Sequence, residues 1–119
     1  MFLMINPYVT VSAPGRICLF GEHQDYLKLP VITAAINLRV VLTGMANKTD
    51  RLSIDLPDIG ATETLPLLSN ESYYSYEKER DYFRSVVNVL KKSGYPIQKG
   101  CDCRVQGKIP INSGTSSSS

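Results

Sequence analysis

Residues 12–37 read SAPGRICLFGEHQDYLKLPVITAAIN, and the alternation of apolar runs with chain breakers in this stretch decides the fold class. The run RICLF at 16–20 is short and apolar, and Pro14 with Gly15 separates it from a second such run, YVTVS at 8–12. Short β-branched runs bounded by Pro and Gly read as strands. After the polar stretch GEHQDY at 21–26, residues 31–36 and 38–42 are again apolar and β-branched enough to continue a sheet. Leu52, Ile54 and Leu56 then alternate with polar neighbours, the period-two pattern of a strand with one buried face.

Further along the chain the pattern changes. From 60 to 72 the sequence loses its period, and Pro66 with Ser69 and Asn70 predicts an irregular connection. Phe83, Val86, Val87 and Leu90 recur at helical spacing, which predicts a helix over 77–93. Glu77, Glu79 and Asp81 early, and Lys91 and Lys92 late, suit the helix dipole, and Gly94 stands where a C-terminal cap belongs. Pro96 prevents continuation. A strand at 101–105 follows, with Cys101 and Cys103 alternating with Asp102 and Arg104. The chain closes on GKIPINSGTSSSS. Strands, one long helix and another strand predict an α+β fold: a mixed sheet with one long helix.

Composition narrows the function classes. With 43% hydrophobic and 20% charged residues, the chain has the makeup of a globular protein able to form one modest core in 119 residues. A formal net charge of +2, without basic runs interleaved with aromatics, gives no nucleic-acid signature. No apolar run approaches the roughly 20 residues that span a bilayer, and MFLMINP lacks a basic n-region and a long apolar core. These readings predict no membrane partner and a cytoplasmic location. Cys18, Cys101 and Cys103 are an odd number without framework spacing, so they are expected to be reduced. The CDC pair reads as core residues in preference to metal ligands.

Two segments carry candidate chemistry. The terminal INSGTSSSS reads either as a flexible tail or as a phosphate-cradling loop, since small side chains let backbone N–H groups approach an oxyanion. The other is Gly21-Glu22-His23 with Asp25 and Tyr26 close behind. Taken singly, each of these is an ordinary loop residue.

Read together, the two segments resemble the signatures of the GHMP kinase superfamily. Pro14, Gly15 and Arg16, then residues 17–20, then Gly21, Glu22 and His23 match the first signature. A Pro followed by a Gly- and Ser-rich run, here from Pro110 to the end, matches the second. Asp25 and Tyr26 stand where galactokinases carry an Asp-Tyr pair, although Leu27, Lys28 and Leu29 replace their glycine-rich turn and SAPGR is closer to mevalonate kinase wording.

The resemblance implies a ribosomal-S5-like α+β domain of which residues 1–119 are a single incomplete N-terminal part. It also implies an ATP- and Mg2+-dependent sugar kinase that gives a sugar 1-phosphate. By that resemblance Glu22, His23, Asp25 and Tyr26 contact the sugar, and Arg16 lies beside the transferring phosphoryl group. Pro110, Asn112, Ser113, Gly114, Thr115, Ser116, Ser117 and Ser118 cradle ATP, with Ser118 also on the metal. The expected catalytic base and a supporting helix belong to a C-terminal part not included in these residues. The segment alone is therefore expected to be inactive, and to pair with that part or with itself. Alternative readings are a mevalonate-type alcohol kinase, a catalytically silent sugar-binding regulator on the same fold, and a small domain whose Ser tail has no role.

Overall fold

A computed structural model describes residues 7–21 and 25–110. The element order is β1 (Val9–Phe20), β2 (Ile32–Ala46), β3 (Arg51–Leu56), β4 (Ala61–Pro66), α1 (Tyr82–Lys92) and β5 (Cys101–Gly107), with short 3-10 turns at Asp25–Leu27 and Pro57–Ile59. The strands form one sheet in the order β1-β2-β5-β3-β4. β3 and β5 are parallel, and every other pairing is antiparallel. The expected α+β mixed sheet with one helix is what forms.

The two runs expected on either side of Pro14 and Gly15 are one strand. β1 passes through the pair because it is an edge strand, where a missing N–H breaks no interior ladder. The disturbance survives as a slip in register, from Pro14 opposite Arg39 to Arg16 opposite Ala35. Runs 31–36 and 38–42 likewise merge into β2. There residues 34, 36, 38, 40 and 42 are half-buried and the residues between them are exposed, the side-chain period of a strand.

The core lies under β3, β4 and β5. Leu52, Ile54 and Leu65 are buried, and Phe83 and Val87 from α1 pack on them with Cys101, Cys103 and Val105 from β5. Each fully buried aliphatic side chain contributes about 2 kcal/mol. The two β5 thiols are core groups, Sγ to Sγ 3.5 Å. Burial first, then Cys101 and the charge of Asp102, pushes the Cys103 thiol up to about 12, so it stays protonated. The β1–β2 half of the sheet is barer: Val9, Val11, Leu19, Phe20 and Ile32 are all exposed.

β4 falls where an irregular connection was expected. Its inward positions are Ala61, Glu63 and Leu65, so a glutamate interrupts the apolar period, and Glu63 is matched there by an ion pair with Lys78. The helix ends as expected but starts five residues late. At its C-terminus Gly94 adopts φ +89°, with Tyr95 N–H donating to Leu90 O at 2.9 Å and Gly94 N–H to Lys91 O at 3.1 Å, which is a Schellman cap. At its N-terminus, 78–81 are four consecutive charged residues with nothing apolar to bury, and Arg80 turns left-handed at φ +57°. Glu77 and Glu79 therefore precede the helix.

Asp81 organises that entry. Its carboxylate accepts Glu77 N–H at 3.0 Å and pairs with Arg84 at 3.1 Å. Burial works against its charge, but the Glu77 N–H, Arg84 and the more distant Lys78 outweigh it and hold the carboxyl below the ordinary aspartate value. A depressed folded-state pKa adds stability above the unfolded value, and that stability is lost as pH falls through the depressed one. The wild-type urea midpoint is accordingly expected to fall on acidification, and Asp81→Asn to lower it at neutral pH while flattening the acid limb. Equal acid limbs in the two proteins would remove Asp81 from this role. Asn88, also buried, clips the incoming chain to α1 by exchanging two 2.9 Å bonds with the backbone of Tyr74.

Candidate functional site

Topology brings three chain exits to one end of the sheet. β1 is antiparallel to β2, β2 to β5, and β5 is parallel to β3, so β1, β5 and β3 all run toward the same end. The turn Asp25–Leu27, the turn Pro57–Ile59 and residues 108–110 lie there. A transverse row ties the Pro57–Ile59 turn and residues 107–108 to the β1–β2 ribbon. Pro14 lies opposite Arg39, Lys108 N–H donates to Arg39 O at 3.2 Å, and Gly107 N–H donates to Asp58 Oδ2 at 2.7 Å. The β1–β2 ribbon continues past this row, and Arg16 lies on that projecting part.

Face follows from register. Leu42 lies opposite Val105, a core residue, so the even-numbered residues of β2 face α1. Directly opposed residues project to the same side. Arg16, opposite Ala35, therefore lies on the face away from α1, as does Arg39. That face is polar. Arg39 Nε donates to Ser12 Oγ at 2.8 Å, Arg104 pairs with Asp55 at 2.9 Å, and Asn47 Nδ2 donates to Asp102 Oδ1 at 2.8 Å. Arg16 is thus an exposed cation on a polar face, at the end where β1, β3 and β5 terminate.

Gly21 ends β1 for a steric reason. Its φ is +85°, and a Cβ there would lie 3.0 Å from Pro30 O and 3.1 Å from Val31 Cγ1, so a side chain would be strained by the backbone and would crowd the chain returning toward β2. Tyr26 follows in the turn Asp25–Leu27 with its side chain 73% exposed. Pro110, also exposed, follows Ile109, which is buried.

Of the residues expected at the site, Arg16, Tyr26 and Pro110 thus share one end of the sheet. Glu22, His23, the side chain of Asp25, and Asn112, Ser113, Gly114, Thr115, Ser116, Ser117 and Ser118 lie outside the described residues. Among the described residues no three His, Cys, Asp or Glu side chains gather to hold a metal ion, and no helix is long and apolar enough to cross a membrane. Sequence reasoning missed Asp58. A Pro-Asp pair before a glycine reads as a turn, and only the strand order reveals that this turn abuts the end of β5.

Comparison with known proteins finds likeness to two kinds of small-molecule kinase. Residues 5–45 match a family model described as the galactokinase galactose-binding signature. The chain is 32% identical over 112 residues to a galactokinase of Haemophilus influenzae, covering 94% of this chain and 29% of that protein. It is also 32% identical over 116 residues to a mevalonate kinase of Thermococcus sibiricus, covering 92% and 34%. Among solved structures, the Lactococcus lactis galactokinase complexed with galactose superposes with a TM-score of 0.72 at 30% identity, over 93% of this chain and 29% of that one. The Methanococcus jannaschii mevalonate kinase shares the fold, with a TM-score of 0.71 at 21% identity over 90% and 34%. The chain therefore spans about a third or less of the length of the relatives it matches.

Proposed function

The chain belongs to the GHMP kinases, matching the N-terminal part of galactokinases, and from this we propose that the intact protein transfers the γ-phosphoryl group of ATP to a sugar hydroxyl, giving a sugar 1-phosphate. One observation supports this most: Arg16, the turn holding Tyr26, and residues 108–110, which lead to the Ser-rich run, all lie toward the same end of the sheet. Phosphoryl transfer needs an acceptor, a polyphosphate and a cation held within one small volume.

In this reading Glu22, His23, Asp25 and Tyr26 orient the sugar. Carboxylates suit that task because hydrogen bonds to a charged acceptor are roughly twice as strong as neutral ones. The backbone and hydroxyls from Asn112 to Ser118 receive the phosphates of ATP, and Ser118 shares the magnesium ion, which when bound supplies charge neutralisation between the phosphates. Arg16 contributes a fixed cation where negative charge develops. The reaction is cytoplasmic. The apolar residues left exposed on β1 are covered by further kinase segments, or by a second copy when the segment is alone.

The test is transfer from ATP by the protein of the full reading frame, measured against a panel of hexoses and mevalonate. Galactose or a close epimer is expected to be the best acceptor. Asp25→Ala is expected to raise KM for the sugar about 10- to 100-fold, the effect of losing about 1.4 to 2.8 kcal/mol of charged hydrogen bonding. Unchanged sugar kinetics would remove Asp25 from the sugar site. A second reading, an alcohol kinase of mevalonate type, draws on the likeness to the Thermococcus enzyme, and preferential turnover of mevalonate would establish it. Sugar and nucleotide binding without turnover would point instead to a silent regulator.

A further inference from the structure

Asp58 is a carboxylate for which the proposed chemistry has no use, and its place in the fold gives it one. It sits in the turn Pro57–Ile59 at the end of β3, beside the end of β5, because the two strands are parallel neighbours. Its Oδ2 accepts the backbone N–H of Gly107, the last residue of β5, at 2.7 Å. Side chains are kept clear of this point: a Cβ on residue 107 would already stand 3.2 Å from Val40 Cγ2, with Asp58 Oδ2 at 3.9 Å.

The next two residues are held as well. Lys108 N–H donates to Arg39 O at 3.2 Å, and Ile109 is only 5% exposed. Three consecutive residues are thus tied to three different parts of the fold: the turn after β3, the backbone of β2, and the interior. Such ties set both the point and the direction in which the chain leaves the sheet for Pro110 and the hydroxyl-rich run. Of the three, the bond to Asp58 is the one with a charged acceptor, and therefore the strongest of its kind.

We propose that Asp58 is a positioning residue for the nucleotide: by holding the Gly107 N–H it fixes where the phosphate-receiving segment begins. The proposal rests on the kinase reading above and assigns that site a residue outside both signature segments. Misplacing a binding group by about 1 Å costs up to about 100-fold in rate or affinity, so a tether at the root of the segment acts on ATP before it acts on the sugar.

The experiment compares wild type, Asp58→Ala and Asp58→Asn in the protein of the full reading frame, with KM measured separately for ATP and sugar. Asp58→Ala is expected to raise KM for ATP about tenfold or more and leave that for the sugar within about twofold. Asp58→Asn keeps an oxygen acceptor and is expected to recover most of the loss. Should Asp58→Ala fail to fold, Asp58→Glu, which keeps the charge but shifts the acceptor by a methylene, is expected to raise KM for ATP in the same selective way. Hydrogen exchange at the Gly107 amide supplies a readout apart from turnover, slow in wild type and in Asp58→Asn and faster in Asp58→Ala or Asp58→Glu. An active wild type whose KM for ATP does not respond to these changes, or responds no more than KM for sugar, overturns the positioning role alone. A wild type that neither binds ATP nor transfers phosphate to any acceptor overturns the kinase reading, and the proposal with it.

Discussion

Gly100→Ala is expected to destabilise the fold by about 3 kcal/mol, against about 1 kcal/mol for Gly60→Ala in the same urea titration. Gly100 is buried at the start of β5, where that strand enters between the end of β2 and the start of β3. A Cβ built there would stand 2.3 Å from Asn47 Oδ1, 2.3 Å from Thr49 O and 2.6 Å from Arg51 O. None of these can retreat cheaply, because two are backbone carbonyls and the third is committed. Asn47 Oδ1 accepts both Thr49 N–H at 2.9 Å and the Thr49 hydroxyl at 2.7 Å. Asn47 N–H in turn donates to Gly100 O at 2.9 Å. The added methyl group must therefore push β5 away from the β2–β3 connection and loosen the central strand of the sheet. At Gly60, by contrast, nothing lies within 4 Å and the only penalty is its φ of +63°. Equal midpoints for the two variants would mean that the seam around Asn47 yields, and that β5 is not wedged there.

How much of this could be read in advance depends on how each element meets the core. β3 and β5 were legible because Leu52 and Ile54, and Cys101, Cys103 and Val105, all turn the same way on alternate residues, so burial writes its period directly into the sequence. The helix terminus was legible because Gly94 adopts a backbone conformation that few other residues accept. β4 was not, because an inward Glu63 satisfied by Lys78 looks the same in sequence as a glutamate in solvent. The helix start was missed for a related reason: the Asp81 side chain accepts Glu77 N–H behind it and caps no backbone N–H of α1. Strand order was also beyond reach, since placing β5 between β2 and β3 depends on pairing partners 49 to 67 residues apart. The site divides along the same line. Its two signature segments are contiguous and could be recognised, whereas Asp58 acquires meaning only after the sheet has brought Gly107 beside it.

Arg16→Ala is expected to lower kcat for phosphoryl transfer about 100- to 1000-fold, the loss that follows removal of one group stabilising charge in the transition state. KM for ATP should change much less, because the cation is needed most as charge builds on the transferring group and less in the ground state. Arg16→Lys should recover part of the rate, since a lysine restores the charge but not the planar fork that grips two oxygens. The control is Arg104→Ala. Arg104 also lies on the face away from α1, with its guanidinium paired with Asp55 at 2.9 Å, but it stands well inside the sheet on β5. Removing an exposed partner of that kind shifts stability by no more than about 1 kcal/mol and is expected to leave turnover at the wild-type level. The comparison separates position from charge. Both variants take one arginine from the same face, and only Arg16 lies on the ribbon that projects past the end of β5, toward Pro110. If Arg16→Ala and Arg104→Ala turned over alike, Arg16 would be one more surface cation of an edge strand, and the charge of the transferring phosphoryl group would have to be met from another part of the enzyme.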